Sequence, residues 1–525
     1  MRVAVVGGGP GGLFLAALLR KADPSGGVTV FERHRAEDAF GFGVVFSDRT
    51  LAAIDEADPV LRDGLREHGV HWDAIEVRLK GEVLRCGGNG MAAIRRTTLL
   101  RLLQDRARGF GADLRFSTEV RLVDLDGYDL VVAADGAGSA IRSEVGLEST
   151  VETATAKFIW FGTDHAFPGL TFVHERGPHG VFAVHGYPIA PDLGTFIVET
   201  DEASWRAAGL DAFDVTQPPG PSDETSRAYL EDLFADRIGG ARLLTNNSRW
   251  GSFRTRRSPR WTVVAPRPVA FLGDAVHTAH FSVGSGTKMA MEDAVALSAA
   301  LAAHDDLPTA LAAYEAAARP SVERIQDSAR PSLAWWEHVG RYHDHFPPWQ
   351  FAYHFLSRSI TDARLARRAP DFVAASHGRW VAEHGAEPLD TPLAIGGTTL
   401  PGRRAVLGLD TLEVPGAPAL PLQEGHLHVV SGDEGGLPAT GVRVRAPEDE
   451  GGMGAVRDRV CALAAAGAAF VVVEGGTAFT RTLVCEEVRM RHGLPAVLVD
   501  PDLTEDAAVT AVLSGRADLV ARGGR

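Results

Sequence analysis

The sequence is poor in cysteine. Three cysteines, Cys86, Cys461 and Cys485, occur among 525 residues, and no two of them form a C-x-x-C pair. This scarcity argues against a disulfide framework and against a cysteine zinc site, and it is typical of a reducing compartment. We therefore expect no structural metal.

Positive charge is also in short supply. The chain has 53 Lys and Arg against 68 Asp and Glu, a formal net charge of -15. A general nucleic-acid binder would need an excess of basic residues to displace counterions. No apolar run approaches the roughly 20 residues of a membrane-spanning helix. A strand that starts at Arg2 leaves no room for a targeting peptide. We expect a cytoplasmic protein that contacts neither nucleic acid nor membrane.

Hydrophobic patterning divides the chain into segments. A strand from Arg2 to Val6, a helix from Leu13 to Lys21 and a strand from Val28 to Glu32 form a β-turn-α-β unit. Residues 153–261 alternate like antiparallel strands, and a buried strand and a helix return at 268–304. We predict an α/β fold with an α+β insert. A Rossmann-like domain (1–152 and 262–320) would contain an antiparallel-sheet substrate domain (153–261).

The rest of the chain has a different composition. A helical segment is predicted for residues 321–380, and the chain becomes rich in Gly and Pro from about residue 385. Strand and helix patterns alternate again towards the C-terminus. We therefore predict a small, degenerate β/α C-terminal domain of residues 385–525.

The first glycine motif is Gly7-x-Gly9-x-x-Gly12, which follows a strand and opens a helix. Such glycines permit a tight turn, a close approach to a pyrophosphate and close packing of helix on strand. The unpaired N–H groups of the helix start favour an anion. Glu32 ends the next strand, where it can accept hydrogen bonds from ribose hydroxyls. An acid there favours FAD or NAD over NADP.

Two further motifs have the same character. Leu272-Gly273-Asp274-Ala275-x-His277 follows a buried strand and leads through Gly284-Ser285-Gly286 into a helix. That helix start can stabilise negative charge on a reduced flavin. Asp135-Gly136-x-x-Ser139-x-x-Arg142 follows a third strand. His277 is interpreted as a packed histidine rather than a catalytic one.

Together the three motifs resemble those of the class A flavoprotein monooxygenases, over roughly residues 1 to 375. The resemblance implies noncovalent FAD, NADH or NADPH as co-substrate, and O2 that adds at flavin C4a to form a hydroperoxide. It also implies that Arg96 reaches the flavin nucleotide, with Arg95 the less favoured neighbour. The predicted cofactor-binding residues are Gly7, Gly9, Gly12, Glu32, Arg33, Arg96, Asp135, Arg142, Gly273, Asp274, Gly284, Ser285 and Gly286.

A narrower resemblance links the chain to the aryl-CoA hydroxylases, which act on salicyloyl-CoA and 2-aminobenzoyl-CoA. It is carried by residues 41–48, 159–163, 277–288 and 332–337, and Ser282 shares that group's departure from a more common proline. This resemblance implies 5-hydroxylation of an aryl-CoA thioester. Hydroxylation of a free phenol, indole or polyketide is the alternative. A flavoprotein without oxygenase turnover is a third, and a halogenase is disfavoured because no W-x-W-x-I-P motif occurs.

The tail resembles a shortened old yellow enzyme domain. Residues 388–393 are similar to that domain's opening, and residues 515–520 to its closing strand. A whole (β/α)8 barrel needs about 250 residues, and roughly 140 remain. No H-x-x-H or H-x-x-N pair occurs in the tail, so we expect no FMN there. The tail is interpreted as structural, as a cap on the hydroxylase, or as the interface of a homodimer.

Substrate-binding residues are harder to predict. Trp160, Phe161 and Phe253 could line a ring pocket, although core packing is the usual role of such side chains. A basic cluster could bind CoA phosphates or form a solvated turn; its members are Arg254, Arg256, Arg257 and Arg260. His280 and His185 are candidate catalytic bases, with a structural role favoured for each.

Overall fold

The computed structural model describes residues 1–39, 41–47, 51–218, 220–281, 284–424 and 440–523. The chain forms two compact units. The first comprises Met1–Val83 and Gly88–Gly340, and the second comprises Leu84–Gly87 and Arg341–Arg525.

The elements up to residue 337 alternate between helices and strands. The strands are β1 (Arg2–Val6), β2 (Gly27–Phe31), β3 (Gly43–Ser47), β4 (Val70–Trp72), β5 (Ile75–Leu79), β6 (Glu82–Cys86), β7 (Met91–Arg95), β8 (Asp113–Arg115), β9 (Leu130–Ala133), β10 (Thr150–Thr163), β11 (Leu170–Gly177), β12 (Gly180–Ala190), β13 (Leu193–Thr200), β14 (Leu243–Leu244), β15 (Gly251–Arg257), β16 (Thr262–Val263) and β17 (Val269–Phe271). The helices are α1 (Pro10–Ala22), α2 (Ala52–Ala57), α3 (Val60–His68), α4 (Arg96–Gly109), α5 (Ala140–Glu144), α6 (Glu202–Ala207), α7 (Glu224–Leu233), α8 (Ala235–Ile238), α9 (Gly286–Ala303) and α10 (Leu307–Glu337).

The six-stranded sheet of the first unit has the order β16-β17-β9-β1-β2-β8. Strands β17, β9, β1, β2 and β8 run parallel, and β16 pairs antiparallel with β17 at one edge. Parallel strands buried on both faces are typically apolar throughout, and Leu130–Ala133 in β9 is buried at every position. This is the doubly wound arrangement expected from the β-turn-α-β pattern.

The larger sheet of the first unit is mainly antiparallel. Strands β10, β13, β12 and β11 lie side by side, and β14 and β15 both pair with β10. Strand β5 pairs parallel with β11 and comes from residues 75–79, outside the predicted insert of 153–261. Sequence alternation could not show this pairing, because it joins segments about 95 residues apart.

The two faces of the larger sheet differ in what covers them. One face carries a hydrophobic cluster that includes Phe161, Phe182, Phe196 and Phe234. We call the opposite face the front face; Tyr187, Ile189, Ile197 and Trp160 pack there with Phe281. Residues opposite each other in antiparallel strands share a face, so register alone separates these two sets of side chains.

The second unit consists of helices followed by a small barrel. Its helices are α11 (Val339–His345), α12 (Pro348–Leu356), α13 (Asp362–Ala366), α14 (Pro370–His384), α15 (Met453–Ala465), α16 (Ala478–His492) and α17 (Glu505–Leu513). Its strands are β18 (Leu393–Ile395), β19 (Thr398–Leu400), β20 (Arg404–Leu407), β21 (Thr411–Glu413), β22 (Leu420–Glu424), β23 (Gly441–Arg445), β24 (Phe470–Glu474), β25 (Ala496–Val499) and β26 (Leu519–Arg522).

The barrel is closed although it is short. Strands β20 to β26 follow one another around it, and β26 pairs parallel with β20. The antiparallel β20-β21-β22 meander closes the circle without further helices. Apolar side chains fill the interior, with Phe470, Val472, Val497 and Leu519 among them. The resemblance to an old yellow enzyme domain, and the expected absence of FMN, stay predictions.

Among the residues described above, no helix is both long and apolar enough to cross a membrane. The same residues contain no group of three or more His, Cys, Asp or Glu side chains arranged to hold a metal ion.

A buried ionic network lies inside the second unit. Glu486 accepts a hydrogen bond from Tyr342 (2.6 Å) and lies 3.1 Å from His354 Nε2. Arg516 donates to the backbone carbonyl of His354 (2.7 Å). Burial would raise the pKa of Glu486, but His354, Arg516 and Tyr342 outweigh it and lower the pKa to about 2. Burial lowers the pKa of His354 to about 4. At neutral pH the network therefore pairs the Glu486 anion with the Arg516 cation.

We expect Glu486→Gln to lower the stability of the second unit. Removing one partner of a buried ion pair leaves the other charge uncompensated, which costs about 3 to 5 kcal/mol. Hydrogen exchange at neutral pH, followed by mass spectrometry, should show the α16 amides opening with a free energy lower by about that amount.

The exposed pair of Glu505 and Arg404 offers a matched control. Glu505→Gln should change the opening free energy by less than about 1 kcal/mol, because solvent screens this pair. Equal, small effects of the two substitutions would contradict a stabilising role for the buried network.

Candidate active site

The three glycine motifs lie at one edge of the six-stranded sheet. Gly7 follows β1, Asp135 follows β9 and Gly273 follows β17, and these strands are parallel neighbours. The carboxyl ends of parallel strands meet at the same edge, which is where open α/β sheets bind ligands. The structure therefore brings together three segments separated by more than 100 residues each.

The first turn is shaped by close backbone contacts. Gly7 has a φ of +116°, and a Cβ there would lie 2.2 Å from the carbonyl oxygen of Ala134. A Cβ on Gly12 would lie 2.2 Å from the carbonyl oxygen of Gly7. A Cβ on Gly9 would meet no atom of the described part of the chain within 4 Å. Gly7 and Gly12 are thus needed for the fold itself, whereas Gly9 faces open space at the start of α1.

The second helix start has the same features. Among the described residues, a Cβ on Gly286 would meet no atom within 4 Å, and no side chain caps the first turn of α9. The Ser285 hydroxyl is buried and has no hydrogen-bond partner within the described ranges. Helices α1 and α9 pack closely, since a Cβ on Gly11 would lie 2.8 Å from the carbonyl oxygen of Ala290. Both uncapped helix starts therefore belong to one region.

Glu32 and Arg33 follow β2 at the same edge. The Glu32 carboxylate accepts the N–H groups of Gly8 (2.7 Å) and His34 (2.9 Å). These bonds hold the acid beside the first glycine turn, as the ribose-binding prediction requires. Arg33 is exposed, and its Nε lies 3.1 Å from His34 Nε2.

The Asp135 segment is tied to the Gly273 segment by Arg142. The Arg142 guanidinium donates to the carbonyls of Ala275 (2.7 Å) and Ala137 (2.9 Å). Burial and the nearby Arg256 lower the pKa of Arg142, and Asp135 opposes them. Asp135 accepts the N–H of Ala140 (2.8 Å) through one oxygen, and its other oxygen is buried without a partner within the described ranges. Arg142 thus joins two loops as well as contributing charge.

Asp274 and Arg96 form an electrostatic pair. Burial raises the pKa of Asp274, and His277 and Arg96 oppose that rise. Burial lowers the pKa of Arg96, and Asp274 and Tyr187 oppose that fall. Asp274 stays accessible to solvent although protein atoms surround it closely, as expected for a group on the wall of a deep cleft. Burial also raises the pKa of Tyr187 to about 12. Tyr187 lies on the front face of the larger sheet, so its interaction with Arg96 links the pair to that face.

His277 has a structural partner. Its Nε2 lies 2.7 Å from Asp293 of α9, and the same carboxylate oxygen accepts the Gly273 N–H (2.8 Å). The His277 ring packs against Trp261. These contacts anchor the Gly273 turn to α9 and agree with the interpretation of His277 as a packed histidine.

The front face carries an aromatic wall. Trp160 lies on it, with its ring centroid 6.4 Å from that of Phe281, and Phe158 meets Phe281 at 4.9 Å. Phe253 of β15 contacts Phe281 at 6.2 Å. Phe161 does not belong to this wall. Because it follows Trp160 in the strand, it points to the opposite face and is buried in the hydrophobic cluster there, which agrees with core packing, the usual role of such side chains.

The predicted basic cluster separates into different environments. Arg254 is exposed, and its charge acts with burial to lower the pKa of Arg256. Arg256 donates to the Ser149 hydroxyl (2.5 Å). Arg257 pairs with Asp327 at 2.8 Å, and Arg260 is exposed. Arg256 lies close to Arg142, and Arg254 lies close to Arg256. Arg254 and Arg256 are therefore the members that could act together on an anion, whereas Arg257 is paired with Asp327.

His185 and His280 share one carboxylate. Glu199 of β13 lies 2.7 Å from Nε2 of His185 and 3.2 Å from Nε2 of His280. All three side chains are at most 5% exposed. Sequence reasoning missed Glu199. Its signal was an acidic residue inside the apolar alternation of β13, where a charge needs a partner.

Comparison with known proteins decides the family. The family model described as FAD binding domain matches residues 1–329. The chain belongs to this FAD-binding family. Over 99% of both chains it is 54% identical to a salicyloyl-CoA 5-hydroxylase of a Streptomyces species. It is an FAD-dependent monooxygenase that uses NAD(P)H and O2.

More distant relatives cover the first part of the chain. A 3-hydroxy-4-methyl-anthranilyl-[aryl-carrier protein] 5-monooxygenase of Streptosporangium sibiricum is 36% identical over 64% of this chain and 89% of its own. The p-nitrophenol 4-monooxygenase of Pseudomonas putida superposes with a TM-score of 0.54 at 18% identity, over 73% of this chain and 97% of its own. The latter likeness concerns the fold alone.

The residues present fit the FAD of this family. Two uncapped helix starts with open glycines suit a diphosphate and a reduced flavin ring. Within the described ranges, the unpartnered Ser285 hydroxyl lies at the second of these helix starts, and the unpartnered oxygen of Asp135 lies in the motif that follows β9 at the same sheet edge. Ser282 and Asp48, which take part in the aryl-CoA resemblance, lie outside the described residues.

Gly9→Ala tests the first helix start. The methyl group meets open space in the chain itself, so the melting temperature of the apoprotein should be unchanged. It would occupy the position of the cofactor diphosphate, so we expect FAD affinity to fall about 100-fold, or about 2.7 kcal/mol. Flavin fluorescence titration of the apoprotein measures this change.

Gly109→Ala is the matched control, because a Cβ at the end of α4 also meets no atom within 4 Å. It should leave FAD affinity unchanged. If Gly9→Ala bound FAD as tightly as the wild type, the Gly9 turn would not hold the diphosphate.

Proposed function

We propose that the chain hydroxylates an aryl-CoA thioester of the salicyloyl or 2-aminobenzoyl type at ring position 5. The similarity to a salicyloyl-CoA 5-hydroxylase over 99% of both chains carries this proposal. The carrier-protein relative also oxygenates position 5 of an aryl group joined to a carrier, as its name states. Position 5 is para to the 2-hydroxyl or 2-amino group, which donates electrons to that carbon.

The cofactor segments and the front face would then have separate tasks. Bound FAD, once reduced by a nicotinamide and supplied with O2, provides the electrophilic oxygen atom. Gly9 and the start of α9 would hold it through backbone N–H groups, with Asp274 and Arg96 between them. The aromatic wall of Trp160, Phe253 and Phe281 would orient the substrate ring and exclude water.

The CoA phosphates need cations, and Arg254 and Arg256 are suitable. Their guanidinium groups are close enough for Arg254 to lower the pKa of Arg256. An anion between them would relieve that repulsion, and arginine suits phosphate geometry. A homodimer and a cytoplasmic location stay predictions from the sequence.

A substrate screen tests the proposed function. Salicyloyl-CoA and 2-aminobenzoyl-CoA should each be compared with the corresponding free acid, with NADH and with NADPH. We expect at least one ester to stimulate nicotinamide oxidation at least tenfold and to give a product heavier by one oxygen atom. Stimulation by free acids alone would favour the hydroxylase of free aromatics. No stimulation by any compound would favour a flavoprotein without oxygenase turnover.

Trp160→Phe tests the aromatic wall. The Trp160 indole N–H is buried and has no acceptor within the described ranges. A donor that cannot accept a proton suits the thioester carbonyl oxygen. Loss of this hydrogen bond should raise KM for the ester about five- to tenfold, or about 1 to 1.5 kcal/mol, with a smaller effect on kcat.

Trp250→Phe is the control, because Trp250 donates to Ser226 and packs in the cluster that also contains Phe161. It should lower the melting temperature without raising KM. An unchanged KM in Trp160→Phe would remove Trp160 from the substrate site.

A further inference from the structure

Three titratable side chains, His185, Glu199 and His280, lie together beside the aromatic wall of the front face. We call them the His185–Glu199–His280 unit. Cross-strand register puts Trp160 opposite Ile197, and Ile197 opposite His185. In the next row on the same face, Phe158 lies opposite Glu199. Glu199 is therefore a diagonal neighbour of Trp160 on the adjacent strand, and the His185 ring lies 5.7 Å from the Phe281 ring, between centroids.

The third member of the unit comes from a cofactor segment. His280 lies six residues after Asp274 and six before Gly286. Its ring lies 5.0 Å from Phe253 and 4.3 Å from Phe281, between ring centroids. Its contact with Glu199 joins the loop before α9 to the sheet. The unit thus lies where the cofactor segment and the substrate wall meet.

Glu199 is the negatively charged member of the His185–Glu199–His280 unit. Burial would raise the pKa of this carboxyl, but His280 and His185 outweigh burial and lower it. Burying a carboxylate anion is costly unless it is paired, and the two imidazole rings are the partners that lie beside Glu199. Because one carboxylate faces both rings, a proton that arrives at either ring lies beside a negative charge.

Other titratable groups near the unit have different roles. His174 of β11 stacks on Trp336 of α10, with parallel rings 6.1 Å apart. Tyr187 of β12 interacts with Arg96. Glu337 of α10 accepts the Thr155 N–H, and Arg254 of β15 is exposed. Of these four groups only Glu337 has a carboxylate, and its partner is a backbone N–H rather than two imidazole rings.

We propose that the His185–Glu199–His280 unit takes up the proton of the substrate's ring hydroxyl, with Glu199 as the positioning residue that keeps an imidazole ready to receive it. This inference rests on the proposed function. The phenol O–H bond breaks, the proton moves to an imidazole nitrogen, and the electron pair stays on the ring oxygen. Conjugation delivers that electron density to the para carbon, which bonds to the incoming oxygen atom.

The unit returns to its starting state within one turnover. The para carbon loses its hydrogen as a proton when aromaticity is restored, and that proton goes to the second oxygen atom of O2, which leaves as water. The proton held on the imidazole then returns to the first ring oxygen. The oxidant is O2 and the reductant is the nicotinamide, both of which the monooxygenase reaction already uses.

Glu199→Gln tests the proposal, because the amide keeps the shape of the side chain and removes its charge. Salicyloyl-CoA is bound to the oxidised FAD holoenzyme without nicotinamide, and its ultraviolet difference spectrum gives the fraction present as phenolate. We expect that fraction at pH 7 to fall at least fivefold in the variant, with Kd within threefold of the wild type.

Turnover supplies a second readout. In Glu199→Gln, kcat should fall at least tenfold while KM changes little. Raising the pH should restore kcat, because the phenol then ionises without help from the protein. Damage that is merely structural would not be repaired by alkaline pH. If Glu199→Gln does not retain FAD, His280→Gln is measured in the same way.

Asp58→Asn is the matched control, since Asp58 is a buried carboxylate held by Arg106 (2.7 Å) and Lys21 (3.2 Å). It should lower the melting temperature and leave the phenolate fraction and the pH dependence of kcat unchanged. If Glu199→Gln and His280→Gln both bound salicyloyl-CoA with the wild-type phenolate fraction, the proton-uptake proposal would be overturned. The proposed function would still stand. If the wild type bound 2-aminobenzoyl-CoA and not salicyloyl-CoA, this inference would be overturned and the proposed function would stand. Failure to bind either ester would overturn both.

Discussion

Alignment of backbone N–H groups at one edge of a parallel sheet is the constraint on which the first unit depends. Strands β17, β9 and β1 are neighbours, so the turns after them meet although they are far apart in sequence. The contacts of Gly7 and Gly12 allow no Cβ, and they bring helix and strand close enough for the start of α1 to face a diphosphate. Arg142 and Asp293 then hold the neighbouring turns in place through backbone hydrogen bonds.

A second constraint is the burial of charge on the front face. Glu199 costs free energy to bury, and two imidazoles compensate for it. Replacing such a group with well-packed apolar residues is often neutral or stabilising, so stability alone is a weak reason for its presence. A role in proton transfer gives a chemical reason for a charge at this position. The aromatic side chains around it suit a substrate ring and reduce access of water.

The second unit contains a short barrel that closes with fewer helices than a (β/α)8 barrel. Its chain is too short for eight β/α repeats, yet a meander of short antiparallel strands closes the barrel. Apolar side chains fill the interior, and an ionic network around Glu486 lies within the same unit. The full-length similarity to a salicyloyl-CoA 5-hydroxylase extends over this unit, whereas the carrier-protein relative covers only 64% of the chain.

The resemblance of its motifs to known ones indicated the family, and the sequence by itself also determined the local features: the glycine turns, the strand before each of them and the acid after β2. These follow from short-range sterics and hydrophobic periodicity, which neighbouring residues decide. Tertiary structure alone decided which face of β10 holds Trp160 and which holds Phe161, because one residue of register reverses every side chain in a strand. It also decided that Arg257 pairs with Asp327, and that Glu199 meets two histidines. Such contacts join segments distant in the chain, and a single sequence does not record how their strands align.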